Sequence, residues 1–238
     1  MSKFKIALAS LLIAGSLAAP VQASSPEETP SSVEDRNSNV GVEKFRVYVE
    51  ANNKANKASL ANQYEVRWEL SENGFSTDMN EKQFQALQKN KNITVTKVPT
   101  VTLDLPAESI TQPADFETAA NASQKTPWGI KAIYNNSSLT STSGGNGINI
   151  AVLDTGVNRN HTDLVNRVEQ CKNFTGSTTV INNSCSDGNG HGTHVAGTAL
   201  ADGGSDKSGV YGVAPAADLW AYKVLSNSGS GSSDDIAA

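Results

Sequence analysis

The sequence predicts two folded parts of different class: an α/β part built on a parallel sheet over residues 127–238, and before it a small α+β part over residues 43–103. Three observations lead there. Of 19 glycines, only Gly15, Gly41 and Gly74 precede residue 127, so the C-terminal part holds most of the tight turns and close backbone approaches. Between residues 43 and 99, short period-2 stretches alternate with helical ones. Beyond residue 147, near-continuous apolar runs alternate with a small-residue helical stretch, the pattern of a parallel sheet carrying helices.

Taken in order, the chain opens with Lys3 and Lys5, an apolar run from Ile6 to Ala19 and a small-residue cleavage pattern, Val21-Gln22-Ala23. Residues 1–23 therefore read as an export signal. The run is short for a bilayer and is interrupted by Ser10, Gly15 and Ser16, which argues against an anchor. Residues 24–42, rich in Ser, Pro and Glu, read as a disordered lead-in.

In "EKFRVYVEA", Phe45, Val47 and Val49 alternate with Arg46, Tyr48 and Glu50, the signature of a strand with one buried face. A short helix is expected near "KASLANQY". "EVRWELSENGF" reads as one strand with Trp68 and Leu70 on the same side. "NEKQFQALQKNKN" suits a helix capped by Asn80, with Gln83 reaching back and Phe84 and Leu87 sharing a face. "ITVTKVP" closes the part as a strand, and Pro99 places it at an edge or an end. A unit of this size is marginally stable alone. Residues 104–126, with Pro106 and Pro113, read as a linker and processing region.

The run Ile148, Ile150, Ala151, Val152, Leu153, broken only by Asn149, is expected to be a central parallel strand covered on both faces. "RVEQCKNF" is a weaker strand, "HGTHVAGTALA" a helix and "ADLWAYKVL" another buried strand. In "GSSDDIAA", Ser233 is the expected N-cap, and Asp234 and Asp235 suit a helix start through its dipole. A helix stopping at Ala238 is too short to repay nucleation, so the sequence reads as ending inside an element, with an incomplete domain.

Composition narrows the function. Nineteen Lys and Arg against 24 Asp and Glu give a net charge of -5, which offers no general attraction to nucleic acid or to an anionic membrane once the signal is removed. The two cysteines, Cys171 and Cys185, would reach an oxidising compartment, where a disulfide is expected. Closing a loop of that length contributes about 3 kcal/mol in the chain-entropy model.

The chemistry concentrates at Asp154 and His191. Asp154 lies where the apolar strand ends, at the carboxyl edge of the sheet where α/β proteins bind ligands. A partly desolvated carboxylate there needs a partner. An imidazole N–H serves, and the pairing fixes the tautomer so that the other ring nitrogen accepts a proton. His191, between Gly190 and Gly192, is placed for close approach; His194 and His161 read as structural. Two rival chemistries fit less well. A zinc module of Cys171, Cys185, His191 and His194 lacks the paired short spacings zinc ligands show. An aspartic protease would share the string "LDTG", but it needs two carboxylates, and no second Asp-Thr-Gly or Asp-Ser-Gly occurs.

"IAVLDTGV", "GHGTHVAGT" and "YGVAPAADLWAYKVL" together resemble the Asp motif, the His motif and the following strand of the subtilisin-like serine proteases, over residues 127–238. The Cys-bearing loop, "ADGGSDKSGVYG" and the ending look especially like secreted bacterial subtilases of the cold-adapted bacillus type. The resemblance implies a secreted, monomeric endopeptidase acting on proteins and peptides, with Asp154 orienting the imidazole and His191 the general base. It implies that residues 43–103 are an inhibitor-type, ferredoxin-like propeptide serving as intramolecular chaperone and inhibitor. The chain order Asp, His, Ser of subtilisin places the nucleophile downstream of His191. Ser226, Ser228, Ser230, Ser232 and Ser233 match no nucleophile motif, so the fragment is expected to be inactive alone, with a non-catalytic inhibitor or truncated product as the alternative. Gly229, Ser230 and Gly231 match the family's edge segment that pairs with an extended substrate. Catalysis needs no cofactor. Asp163 matches a structural calcium position, although the companion loop departs from the family as "ADGGSDKSG", carrying Asp202 and Asp206.

Overall fold

The computed structural model describes residues 43–104, 125–176 and 178–238. The expected export signal, the lead-in and most of the expected processing region lie outside the described residues.

The α+β part is a four-stranded antiparallel sheet with two helices. Strand β1 (Lys44–Ala51) is followed by helix α1 (Lys54–Ala61), strands β2 (Val66–Glu69) and β3 (Gly74–Asn80), helix α2 (Glu81–Gln88) and strand β4 (Ile93–Lys97). The sheet order is β2-β3-β1-β4. Alternation in β1 sends Val47 and Val49 fully into a core shared with Phe75, Met79, Phe84, Leu87 and Leu60. The capping box forms as expected: Asn80 Oδ1 accepts from Gln83 N at 2.9 Å and Gln83 Oε1 from Asn80 N at 3.0 Å. Helix α1 starts earlier than expected because Asn53 caps it, its side chain accepting from Asn56 N. The single strand expected over 65–75 is instead the hairpin β2–β3. Leu70 N and Ser71 N both donate to Gly74 O and close the turn, where a Cβ at Gly74 would meet the tip of the Tyr48 side chain.

The C-terminal part carries helix α3 (Trp128–Ile133), strands β6 (Asn149–Asp154), β7 (Val168–Asn173) and β8 (Ile181–Asn182), helix α4 (His191–Leu200) and strand β9 (Asp218–Lys223). The sheet order is β6-β9-β7-β8, with β6 and β7 each parallel to β9. Helix α4 lays Ala196 and Leu200 against Val152, Leu219 and Ala221. The expectation that β6 is central and covered on both faces is corrected. It is an edge strand of this sheet: Val152 and Asp154 face inward, whereas Leu153 is 44% exposed and Ala151 is also exposed. Strand β9, with Leu219 and Ala221 fully buried, occupies the centre.

Two short strands join the parts. Strand β5 (Thr100–Thr102) pairs antiparallel with β10 (Ser230–Ser232), and helix α5 (Ser233–Ala237) follows. The N-cap of α5 is Ser232, not Ser233, and no side chain caps it. Asp234 and Asp235 meet more than the helix dipole. Arg46 donates to Asp234 at 3.0 Å and to Asp235 at 3.1 Å, and Trp68 Nε1 donates to Asp235 at 2.7 Å.

Candidate active site

Strand β6 ends at Asp154 and helix α4 begins at His191, and the two side chains meet. His191 Nδ1 lies 2.8 Å from Asp154 Oδ1 and 2.9 Å from Oδ2. The carboxylate side chain is 9% exposed and the imidazole 29%, so the acid is walled off while the base reaches the surface. An imidazole N–H donating to this carboxylate leaves Nε2 as the acceptor. Asp154 is held from three sides: its Oδ1 accepts from Thr155 N at 2.6 Å, and its carbonyl accepts from Val224 N and Leu225 N just past β9. Glycine makes the approach possible. A Cβ at Gly192 would sit 2.1 Å from Gly156 O and 3.1 Å from Asp154, and Gly190 caps α4 at φ 100°.

Sequence reasoning passed over a second carboxylate, Asp187. It accepts from Thr155 Oγ1 (2.9 Å), Asn189 N (3.0 Å), Gly190 N (2.9 Å), Thr193 N (2.9 Å) and Thr193 Oγ1 (2.6 Å). Burial alone would raise its pKa. The bonds from Thr193, Gly190 and Asn189 outweigh burial and hold it at about 2, below the ordinary 3.8. Lys223 was missed as well. Its ammonium donates to Thr155 O and to Asn227 Oδ1 (3.0 Å), and burial lowers its pKa while Asp187 and Asp154 oppose the shift. The "D-x-x-x-H" spacing from Asp187 to His191 was the available signal; a turn acid just before a helix is so common that it carries little weight.

This pair lies within the span that known proteins share. Residues 145–238 match the subtilase family model. The chain is 64% identical over 198 residues to a subtilisin of Bacillus sp. (strain TA39), covering 83% of this chain and 46% of that protein. Residues 145–238 belong to the subtilase family. An alkaline protease of Shouchella clausii is 34% identical to this chain over 239 residues, covering 98% of this chain and 55% of that one. The chain thus spans about half the length of the curated relatives it matches. The solved epidermin leader peptide processing serine protease of Staphylococcus aureus, 24% identical, shares the fold with a TM-score of 0.53 over 78% of this chain and 43% of that one.

The edge segment Gly229–Gly231 is occupied by the chain itself. Ser230 pairs with Thr102 and Gly231 with Val101, Leu103 N donates to Gly229 O at 2.8 Å, and the Leu103 side chain packs against Gly229. Cys171 and Cys185 form a disulfide, which removes both sulfurs from the zinc alternative. His194, expected to be structural, is exposed; among the described residues only its backbone makes hydrogen bonds. His161 is exposed too, with Nδ1 accepting from Asp163 N at 3.2 Å. A cavity of about 730 Å³ lies between α3 and α4, lined by Trp128, Ile133 and His194 among others, but neither Asp154 nor His191 lines it. Asp163 is 3% exposed; its Oδ2 accepts from Val210 N, and its Oδ1 has no hydrogen bond. Among the described residues no three His, Cys, Asp or Glu side chains gather as a metal cluster. No helix of the described residues is long and apolar enough to cross a membrane.

Proposed function

We propose that the protein is a secreted serine endopeptidase, made as a self-processing precursor, in which Asp154 orients His191 and His191 is the general base. The Asp154–His191 contact at 2.8 Å carries the reading. With Nδ1–H committed to the carboxylate, Nε2 takes the proton of a serine hydroxyl as that oxygen attacks a peptide carbonyl. The proton then passes to the leaving amine, and Asp154 stabilises the imidazolium in between. The nucleophile is a serine other than those of the 226–233 loop. Ser226, Ser228 and Ser230 bond to one another, and among the described residues none of the loop serines bonds to His191.

In this reading residues 43–103 are the propeptide, chaperone and inhibitor of the domain that follows. Their strand order and two helices fit a ferredoxin-like unit. The edge of β10 takes an extended peptide main chain, which reads backbone groups in protein and peptide substrates of varied sequence. Strand β5 lies where such a peptide would pair. Catalysis by this pair uses no cofactor, and the enzyme works as a monomer. A structural calcium belongs to the same proposal: the buried Asp163 Oδ1, lacking a hydrogen bond, is a hard anionic oxygen suited to that ion. Among the described residues no three ligating side chains gather there, so most of the other ligands would be carbonyl or hydroxyl oxygens.

The test is His191→Ala in a full-length version of the protein. Self-removal of the propeptide is expected to stop, as read by gel mobility and N-terminal sequencing. Normal maturation in that variant would overturn the assignment of the base.

A further inference from the structure

Asp154 lies at the end of β6 and His191 at the start of α4. A single hydrogen bond between side chains does not fix the angle of an imidazole that is 29% exposed. Something must hold the strand end and the helix start in one frame.

The contacts form a closed ring. From Asp154 the chain passes to Thr155, which is fully buried. Thr155 Oγ1 donates to Asp187 Oδ1 at 2.9 Å and accepts from Gly192 N at 3.0 Å. The same Oδ1 accepts from Asn189 N and Gly190 N, immediately before His191. Oδ2 accepts from Thr193 N and Oγ1, just beyond it. Asn189 Oδ1 accepts from His191 N at 3.2 Å, and His191 Nδ1 returns to Asp154. Among the described residues, Asp187 is therefore the one side chain that grips both sides of the histidine and, through one hydroxyl, the residue after the aspartate. Lys223 holds the opposite face of Thr155 by its carbonyl, so the threonine cannot drift from the ring.

We infer that Asp187 is a positioning residue: it sets the His191 imidazole on Asp154 by clamping the start of α4 to the end of β6 through Thr155. It touches neither the reacting atoms nor the ring nitrogens and acts only through His191. The inference rests on reading His191 as the base, but its test needs no turnover, so it can fail while that reading stands.

The experiment is proton NMR of the 238-residue chain, following the far-downfield His191 Nδ1 proton held by Asp154. In Asp187→Asn, Oδ1 still accepts from Asn189 and Gly190 while an amide replaces the oxygen facing Thr193. That proton should exchange with water about tenfold faster, the weight of one charge-assisted hydrogen bond. In Asp187→Ala the signal should vanish while the amide spectrum of β6, β7 and β9 is retained. Should the alanine variant fail to fold, Thr155→Val cuts the same ring at its hydroxyl and should also lose the signal. Wild-type exchange of the Nδ1 proton in folded Asp187→Asn, or its persistence in either of the other folded variants, overturns the inference.

Discussion

Removing Asp235 tests how the α+β part is held against α5. The Asp235 side chain is 6% exposed and accepts from Trp68 Nε1 at 2.7 Å, Arg46 Nη1 at 3.1 Å and Arg67 Nη2 at 3.4 Å. In Asp235→Ala, Arg46 keeps Asp234 at 3.0 Å. Arg67 keeps Asp78 at 3.8 Å, and the indole N–H loses its acceptor. An orphaned buried donor costs about 1–3 kcal/mol, and breaking a buried ion pair about 3–5 kcal/mol. Because the groups share one carboxylate these costs overlap, so about 3–5 kcal/mol in total is expected. With a urea slope of about 2 kcal/mol per molar, the midpoint followed by tryptophan fluorescence should fall by about 1.5–2.5 M. Asp78→Ala is the internal control: it touches the same arginines from a site 43% exposed, and exposed pairs contribute about 1 kcal/mol or less. Equal midpoint shifts in the two variants would refute the argument that burial, rather than the count of ion pairs, sets the strength of this contact.

The depressed carboxyl of Asp187 gives a pH signature: it contributes stability that is present above its unfolded value of 3.8 and is lost as pH falls towards about 2. Acid unfolding of the wild type should show a component in that window that Asp187→Asn lacks; superimposable curves would remove the charge from the account. Reducing the Cys171–Cys185 disulfide should lower stability by about 3 kcal/mol, read as the difference between urea curves with and without reductant. A calcium chelator should lower the melting temperature of the wild type, while Asp163→Asn should start lower and no longer respond; an equal response in both would place the ion elsewhere.

The pairing of Asp154 with His191 was legible because each sits at the end of a strongly patterned element and is flanked by glycine or a glycine turn, signals that are local. What lay outside local pattern was not legible. Strand β3 hides in "FSTDMN" because Ser76 and Thr77 are fully buried polar residues, which no alternation rule marks as core. Thr77 settles there by donating its hydroxyl to Glu65 O across the hairpin at 2.6 Å. The place of β6 at an edge could not be read from its apolar run, since Leu153 and Ala151 look the same whether covered or exposed. Asp234 and Asp235 were read for a local dipole effect, whereas their partners are 167 to 189 residues away in sequence.

One segment ties the proposed base to the proposed substrate edge. Beyond β9, the N–H groups of Val224 and Leu225 both donate to Asp154 O, and the next residue, Ser226, bonds from N to Ser230 O at 2.8 Å. Lys223, the last residue of β9, reaches Thr155 O with its side chain and Asn227 Oδ1 in the same loop. Asn227 O in turn accepts from Asn189 Nδ2, two residues before the histidine. A peptide paired on Ser230 and Gly231 is therefore referenced to the same backbone atoms that fix Asp154. Such a shared frame is what near-attack geometry requires, since a displacement of about 1 Å at the reacting centre costs about a hundredfold in rate. By this reasoning Asn227, although it contacts neither Asp154 nor His191 through its side chain, sits where loosening the loop would cost rate before it cost stability.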